Sequence, residues 1–341
     1  MLFKLSYTVA YLDIHSRELM KFELGAPDDI RLFVRAPTDD ERSKGQKSFN
    51  AFLDILGEFE PTKKSLLVFN ALLEGRRPPE GEKARSAEDM INREGPSYGL
   101  EHYPDPFVSF VNTVEEKLSS PGHALVSVLR WRYAQEGPPS PIGSRGLFCS
   151  NDNGDSWHRL PGRYSILSIT PPHSVLDPRV IDTDEILGFL ESSSQEPVGH
   201  ELLREAKELQ HSSPRSAVFI AVSAVEVAVK SVIVGKVSDA AWLVEAMQSP
   251  PVVDILTHYF PRLFQSEKQF YEPTKERGLI KVIYDAVHIR NQMAHKGAAP
   301  PRRERVVEII AAVQKLLWIC DYYSGHRWAE LHINSMGQDI I

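Results

Sequence analysis

The chain has 341 residues, and at about 150 residues per domain that length anticipates two domains. Hydrophobic residues make up 42% and charged residues 25%, which excludes a disordered tail protein and leaves apolar mass for a core in each half. With 39 Lys+Arg against 46 Asp+Glu the net charge is −7, so the chain is not a bulk polycation and any nucleic-acid contact must come from a local patch.

The two cysteines, Cys149 and Cys320, are too far apart in sequence to announce a disulfide framework or a paired-cysteine zinc site. The opening MLFKLSYTVAYL is interrupted by Lys4, Ser6 and Tyr7 and lacks the apolar core of a signal peptide. Through the first 180 residues, β-branched and aromatic runs predict strands at 3–12, 30–34, 124–133 and 164–170. Apolar residues returning every three or four positions predict helices at 48–59, 64–73 and 107–118. Residues 76–106 and 137–146 are Pro- and Gly-containing connectors. On the strand expected at 125–133, Arg130 and Arg132 share one face and Leu129, Trp131 and Tyr133 the other. That pattern fits either a base-stacking platform or, more simply, core aromatics with arginines in water. Asn153-Gly154 reads as a β-hairpin turn with Trp157 on the returning strand.

Beyond residue 182 the pattern is helical throughout. Leu202, Leu203, Ala206 and Leu209 form one stripe, and Pro214 suits the first turn of a helix over 215–234. Further helices are predicted at 239–248, 252–259, 279–296 and 302–323, the third of these stopped by Gly297 with Pro300 and Pro301 beyond. The expected fold class is therefore α+β: a mixed α/β domain over 1–180, then an up-and-down helical bundle over 181–341. Residues 217–235 are the most apolar stretch, but Glu226 and Lys230 would each cost about 2.5–3.5 kcal/mol in a bilayer. The expectation is a buried helix of a soluble, cytoplasmic protein with no membrane partner.

The informative segment is LIKVIYDAVHIRNQMAHKG, residues 279–297. Leu279, Val282, Ile283, Ala286, Val287, Met293 and Ala294 share one helical face, and Arg290 falls in the middle of it. A guanidinium there has to be paired or lie at an interface. Glu226, alone among aliphatics on another core helix, is one partner for it; Lys230, one turn from Glu226, is the rival local partner for that acid. Asn291 and His295 lie together on a different face with Tyr284 and His288, and His295 occupies the last turn, where the helix dipole favours a cation. That position suits a general acid, or simply a helix-end cap. Lys296, Arg302, Arg303 and Arg305 follow at once and supply a basic patch that also reads as an ordinary solvated face.

RNQMAH, Arg290 to His295, resembles the R-x4-6-H signature of the HEPN superfamily, including the Asn that often follows its Arg. The order of elements over about 197–323, with Glu226 on the helix after Pro214 and the motif near the end of the penultimate long helix, resembles the HEPN layout as well. The resemblance does not reach the first half. It implies a helical bundle that dimerises and acts as a ribonuclease without metal or other cofactor. Arg290 would stabilise the scissile phosphate, His295 would serve as acid/base in a 2′-hydroxyl attack leaving a cyclic phosphate, Asn291 would orient the site and Glu226 would fix Arg290. Lys296, Arg302, Arg303 and Arg305 would bind RNA. Such domains often serve as toxins or effectors in bacterial defence, with an antitoxin or regulatory protein as partner. Five residues turn Arg290 and His295 about 140° apart on a straight helix, so a shared site needs a distorted last turn or a composite across a homodimer axis through the motif helix. The alternative is a non-catalytic HEPN module that binds RNA, a nucleotide or a protein, with the first domain as sensor. Two further motifs fail. His200-Glu201-Leu202-Leu203-Arg204 lacks the second ligand of HExxH, and Asp152 and Asp155 after Gly143-Ser144 have neither the spacing nor the strand context of a nucleotidyltransferase.

Overall fold

In the computed structural model, which describes residues 1–10, 12–14, 19–25, 29–38, 50–92, 99–137, 142–162, 175–176, 181–246, 250–265 and 276–336, the first strand, β1 (Leu2–Ala10), sets the pattern for the N-terminal unit. Phe3, Leu5, Tyr7 and Val9 are buried, while Lys4, Ser6 and Thr8 between them are half-buried, the two-residue period of a sheet with one covered face. A short β2 (Asp13–Ile14) precedes the hairpin of β3 (Met20–Leu24) and β4 (Ile30–Arg35), followed by β5 (Asn50–Glu58). Among its described residues, the connector expected at 76–106 carries the two-residue strands β6 (Arg76–Arg77) and β7 (Ile91–Asn92), one 3-10 turn and, from Asp105, the start of the next long helix. After β8 (Ile142–Ser150) and β9 (His158–Arg159), the main sheet has the order β3-β4-β5-β1-β8-β9, antiparallel throughout. A parallel bridge joins β2 to β10 (Val175–Leu176).

Three helices, α1 (Lys63–Leu73), α2 (Asp105–Arg132) and α3 (Thr183–Glu191), bury the Phe3 side of this sheet. Phe69 of α1 meets Phe3 edge to face at 5.6 Å and Phe107 of α2 at 4.8 Å, geometry that aromatic quadrupoles favour. Arg132 bonds Glu185 at 2.7 Å and Asp182 N–H donates to the Tyr133 hydroxyl at 2.9 Å, while Ile186 is buried in the sheet's core. These contacts hold α3 to the first unit, which comprises Met1–Glu136 and Ser140–Gln195; the second comprises Gly137–Pro139 and Glu196–Ile341. The division thus falls after α3 and not at residue 180.

Two sequence expectations are corrected here. Where a helix is expected at 48–59, the described residues form β5 instead: Ala51, Leu53 and Ile55 are buried on one face while Phe52 and Leu56 line the other. Apolar residues on both faces satisfy helical spacing as well as alternation. Residues 124–133 are no strand but the second half of α2, where Leu125, Val128 and Leu129 continue the stripe of Val111, Val114 and Leu118 past Pro121. Arg130 is consequently buried and Arg132 paired with Glu185, so no stacking platform exists at this place. The strand expected at 164–170 lies outside the described residues. The Asn153-Gly154 turn does form between β8 and β9, with φ of 59° and 98°.

The second unit is helical: α4 (Val198–Leu209), α5 (Pro214–Lys236), α6 (Ala241–Ala246), α7 (Arg277–Lys296), α8 (Arg303–Tyr323) and α9 (Ala329–Met336). The stretch expected as a helix at 252–259 is a single α turn followed by a π turn over Ile255–Tyr259. Helix α5 packs against α4, α7 and α8, and α9 caps α8. It is the one helix among the described residues long and apolar enough to span a bilayer, yet more than half of its most apolar window is buried in the bundle. Buried polar contacts tie α4 down: His200 Nε2 lies 2.7 Å from Asp321 Oδ2 of α8, and the Arg204 guanidinium donates to Glu196. Both cysteines are buried, Cys149 in β8 and Cys320 in α8, and burial pushes the Cys149 thiol up to about 11. The chain is therefore an α+β protein: a sheet with helices on one face, followed in sequence by a helical bundle.

Candidate functional site

Helix α7 carries the residues singled out by the sequence. Leu279, Ile283, Ala286 and Met293 are buried and set its inward face. Arg290 emerges beside them with its side chain 20% exposed and donates to Glu226 of α5, itself 17% exposed. This is the inter-helix ion pair that the burial argument expected. Helix α5 is apolar on nearly every side, so Glu226 has its charge met by a neighbouring helix where solvent is scarce. The Arg290 Nε is also buried, with no hydrogen-bond acceptor among the described residues, so Glu226 satisfies only part of the guanidinium's donor capacity.

Helix α7 remains regular through the motif. It ends at Gly297 in the left-handed conformation, φ 63°, whose N–H bonds back to Gln292 O. No distortion of the last turn brings His295 round, and five helical residues leave it about 140° from Arg290. Asn291 and His295 are both exposed on the far face, beyond Tyr284 and His288, whose rings lie parallel with centroids 6.4 Å apart. Gln292 Nε2 adds a 2.7 Å contact to the His288 ring. The structure thus brings Arg290 together with Glu226, and Asn291 together with His295, but leaves the two pairs on different sides of the helix.

The basic patch divides as well. Lys296, Arg302 and Arg303 are exposed, whereas Arg305 is held by two carboxylates, Asp285 of α7 and Glu308, each at 2.5 Å. Arg305 therefore fastens α7 to α8 and is not a loose phosphate contact. Sequence reading missed Arg215, in the first turn of α5, whose guanidinium donates to Ala298 O at 2.9 Å and adds a cation beside the end of the motif helix. A cation where the helix dipole disfavours one was the local signal for it. His200 has its partner in buried Asp321, and its ring is tilted 45° against that of Trp318 with centroids 4.4 Å apart, so it is a core histidine. Among the described residues no three His, Cys, Asp or Glu side chains are grouped to hold a metal. Comparison with family models, curated proteins and solved structures found no match to this chain.

Proposed function

We propose that the helical bundle is a metal-independent endoribonuclease of HEPN type, whose site is completed by a second copy of the chain. The observation that carries this reading is the Glu226–Arg290 pair: a guanidinium fixed by a carboxylate within an apolar face, still partly open, one helix end away from Lys296, Arg302 and Arg303. In this reading Arg290 of one protomer stabilises the scissile phosphate and His295 of the other handles the proton, with Asn291 orienting it. The 2′-oxygen attacks phosphorus, the bond to the 5′-oxygen breaks, and the imidazole moves a proton from the 2′-hydroxyl to the leaving oxygen. A 2′,3′-cyclic phosphate remains. Positioned acid/base groups of this kind contribute about 10²–10⁴-fold in rate. A cytoplasmic toxin or defence effector held in check by a partner protein is the role that accompanies this chemistry.

The test is RNA cleavage in EDTA by the wild type beside His295→Ala and Arg290→Ala, with sedimentation measured on the same samples. Cleavage by a wild-type dimer and loss of at least a hundredfold in either variant support the proposal. Equal cleavage in all three, or a monomer that cleaves, removes it. A second reading, a non-catalytic module binding RNA, a nucleotide or a protein, is favoured by one observation: within a single chain Arg290 is engaged by Glu226 and His295 faces away from it. RNA binding without cleavage would select that reading.

A further inference from the structure

The N-terminal unit holds 22 of the 39 Lys+Arg and 29 of the 46 Asp+Glu, so the whole excess of negative charge resides in it. Several of its cations, among them Lys4, Arg31, Arg35 and Arg159, nevertheless stand on the sheet face opposite α1 and α2. Strand register places Arg31 beside Leu56, Leu56 beside Lys4, Lys4 beside Phe148 and Phe148 beside Arg159. That is one row across five strands, cation, apolar, cation, aromatic, cation; on the sixth strand, β3, the register sets Glu23 beside Arg31. Neighbouring strands are about 4.8 Å apart, so successive cations stand about 10 Å apart with an apolar side chain between them. Arg31 and Arg159 are exposed, and Lys4, Leu56 and Phe148 are half-buried.

The aromatic surface extends beyond that row. Lys4 Nζ sits 4.2 Å from the Trp157 ring and 5.3 Å from that of Phe148, and Arg35 lies over Phe52 at 4.5 Å. Of the carboxylates on this face, Glu23 is paired with Lys21 at 2.6 Å and Asp54 is engaged by Ser6 at 2.6 Å and Arg35 at 3.3 Å, while Glu58, two residues beyond Leu56 on β5, is exposed at the sheet's edge row. Burial, then the charge of Arg35, hold the Lys4 ammonium below its ordinary range, against the pull of Asp54; an added anion would relieve that stress.

We propose that this sheet face docks single-stranded nucleic acid, laid across the strands along the Arg31–Lys4–Arg159 row. Phosphates meet the three cations, and bases rest on Phe148, Trp157 and Leu56. A duplex keeps its bases stacked on each other and cannot use the rings, whereas a single strand offers phosphate and ring face together. The acidic character of the rest of the unit confines the polyanion to this face. This surface lies wholly in the N-terminal unit and does not depend on the nuclease reading of the bundle.

The experiment uses the full chain carrying His295→Ala, so that cleavage cannot consume the probe. Fluorescence anisotropy follows binding of labelled oligoadenylate of about 12 nucleotides, as RNA and as DNA, beside an RNA duplex of equal length, across a salt series. Single strands are expected to bind more tightly than the duplex. Arg31→Glu/Arg159→Glu should weaken single-strand binding at least tenfold and lower the salt slope by about two. Phe148→Ala/Trp157→Ala should weaken it by about tenfold or more with the slope unchanged. The arginines are exposed, so their variant keeps its circular dichroism and decides the matter if the ring variant unfolds. Equal RNA and DNA affinity would assign the contact to phosphates and ring faces, and tighter RNA binding would add the 2′-hydroxyl; both keep the proposal. Wild-type affinity in the arginine variant, a preference for duplex, or loss of binding only with Arg302→Glu/Arg303→Glu in the bundle overturns it. Absence of RNA cleavage in the wild type leaves this readout untouched and bears only on the bundle.

Discussion

Arg290 and Glu226 depend on each other more than either depends on water. Each is about four-fifths buried, so deleting one partner strands the other's charge among aliphatic side chains. Glu226→Met or Arg290→Met alone should cost about 2–4 kcal/mol, and the double variant much less, because a buried pair roughly breaks even against apolar packing. Urea denaturation of the three variants measures this as a coupling energy in a double-mutant cycle. Asp152 offers an opposite case at the surface. Hydrogen bonds from Ser150 and Ser156 hold its carboxyl below the ordinary carboxylate range. A depressed native value means that its contribution is fully present above the unfolded value, about 4, and is lost as pH falls from there through the lower native value. The melting temperature of Asp152→Asn should therefore lie furthest below wild type at neutral pH and converge on it in acid.

At the level of elements, α4 and α5 approach closely because Gly199 has no side chain. A Cβ there would come within 3.3 Å of the Ala224 carbonyl and 3.1 Å of Leu317. Backbone cannot step aside as a side-chain tip can, so Gly199→Val should separate the helices and cost about 1–3 kcal/mol or more by thermal melting. Where an element buries one face and carries its own end signals, the sequence was readable: α7 with Gly297, α5 with Pro214, and the Asn153-Gly154 turn. It misled where those signals conflicted. Strand β5 is apolar on both faces, and α2 carries Pro121 in its interior and β-branched Val126 and Val128 beyond it. The Glu226–Arg290 pair could be argued from burial alone. Asp285–Arg305 and Arg215–Ala298 could not, since their partners lie 20 and 83 positions apart and neither strands a charge in an apolar run.

For the molecule as a whole, composition concealed an asymmetry. The helical unit has as many cations as acids, 17 of each, while the sheet unit bears all of the net −7. The cysteines are divided more evenly, one to each unit and both inside. Burial raises both thiols, Cys320 with Asp321 adding to the effect, so neither offers appreciable thiolate near neutral pH. Native protein should leave both unmodified by Ellman's reagent at pH 8, and denatured protein should react twice. Each thiol is then a clock set into its own half of the chain. Peptide mapping of a slow alkylation under native conditions would time the opening of the sheet through Cys149 and of the bundle through Cys320, with no label introduced and no residue changed.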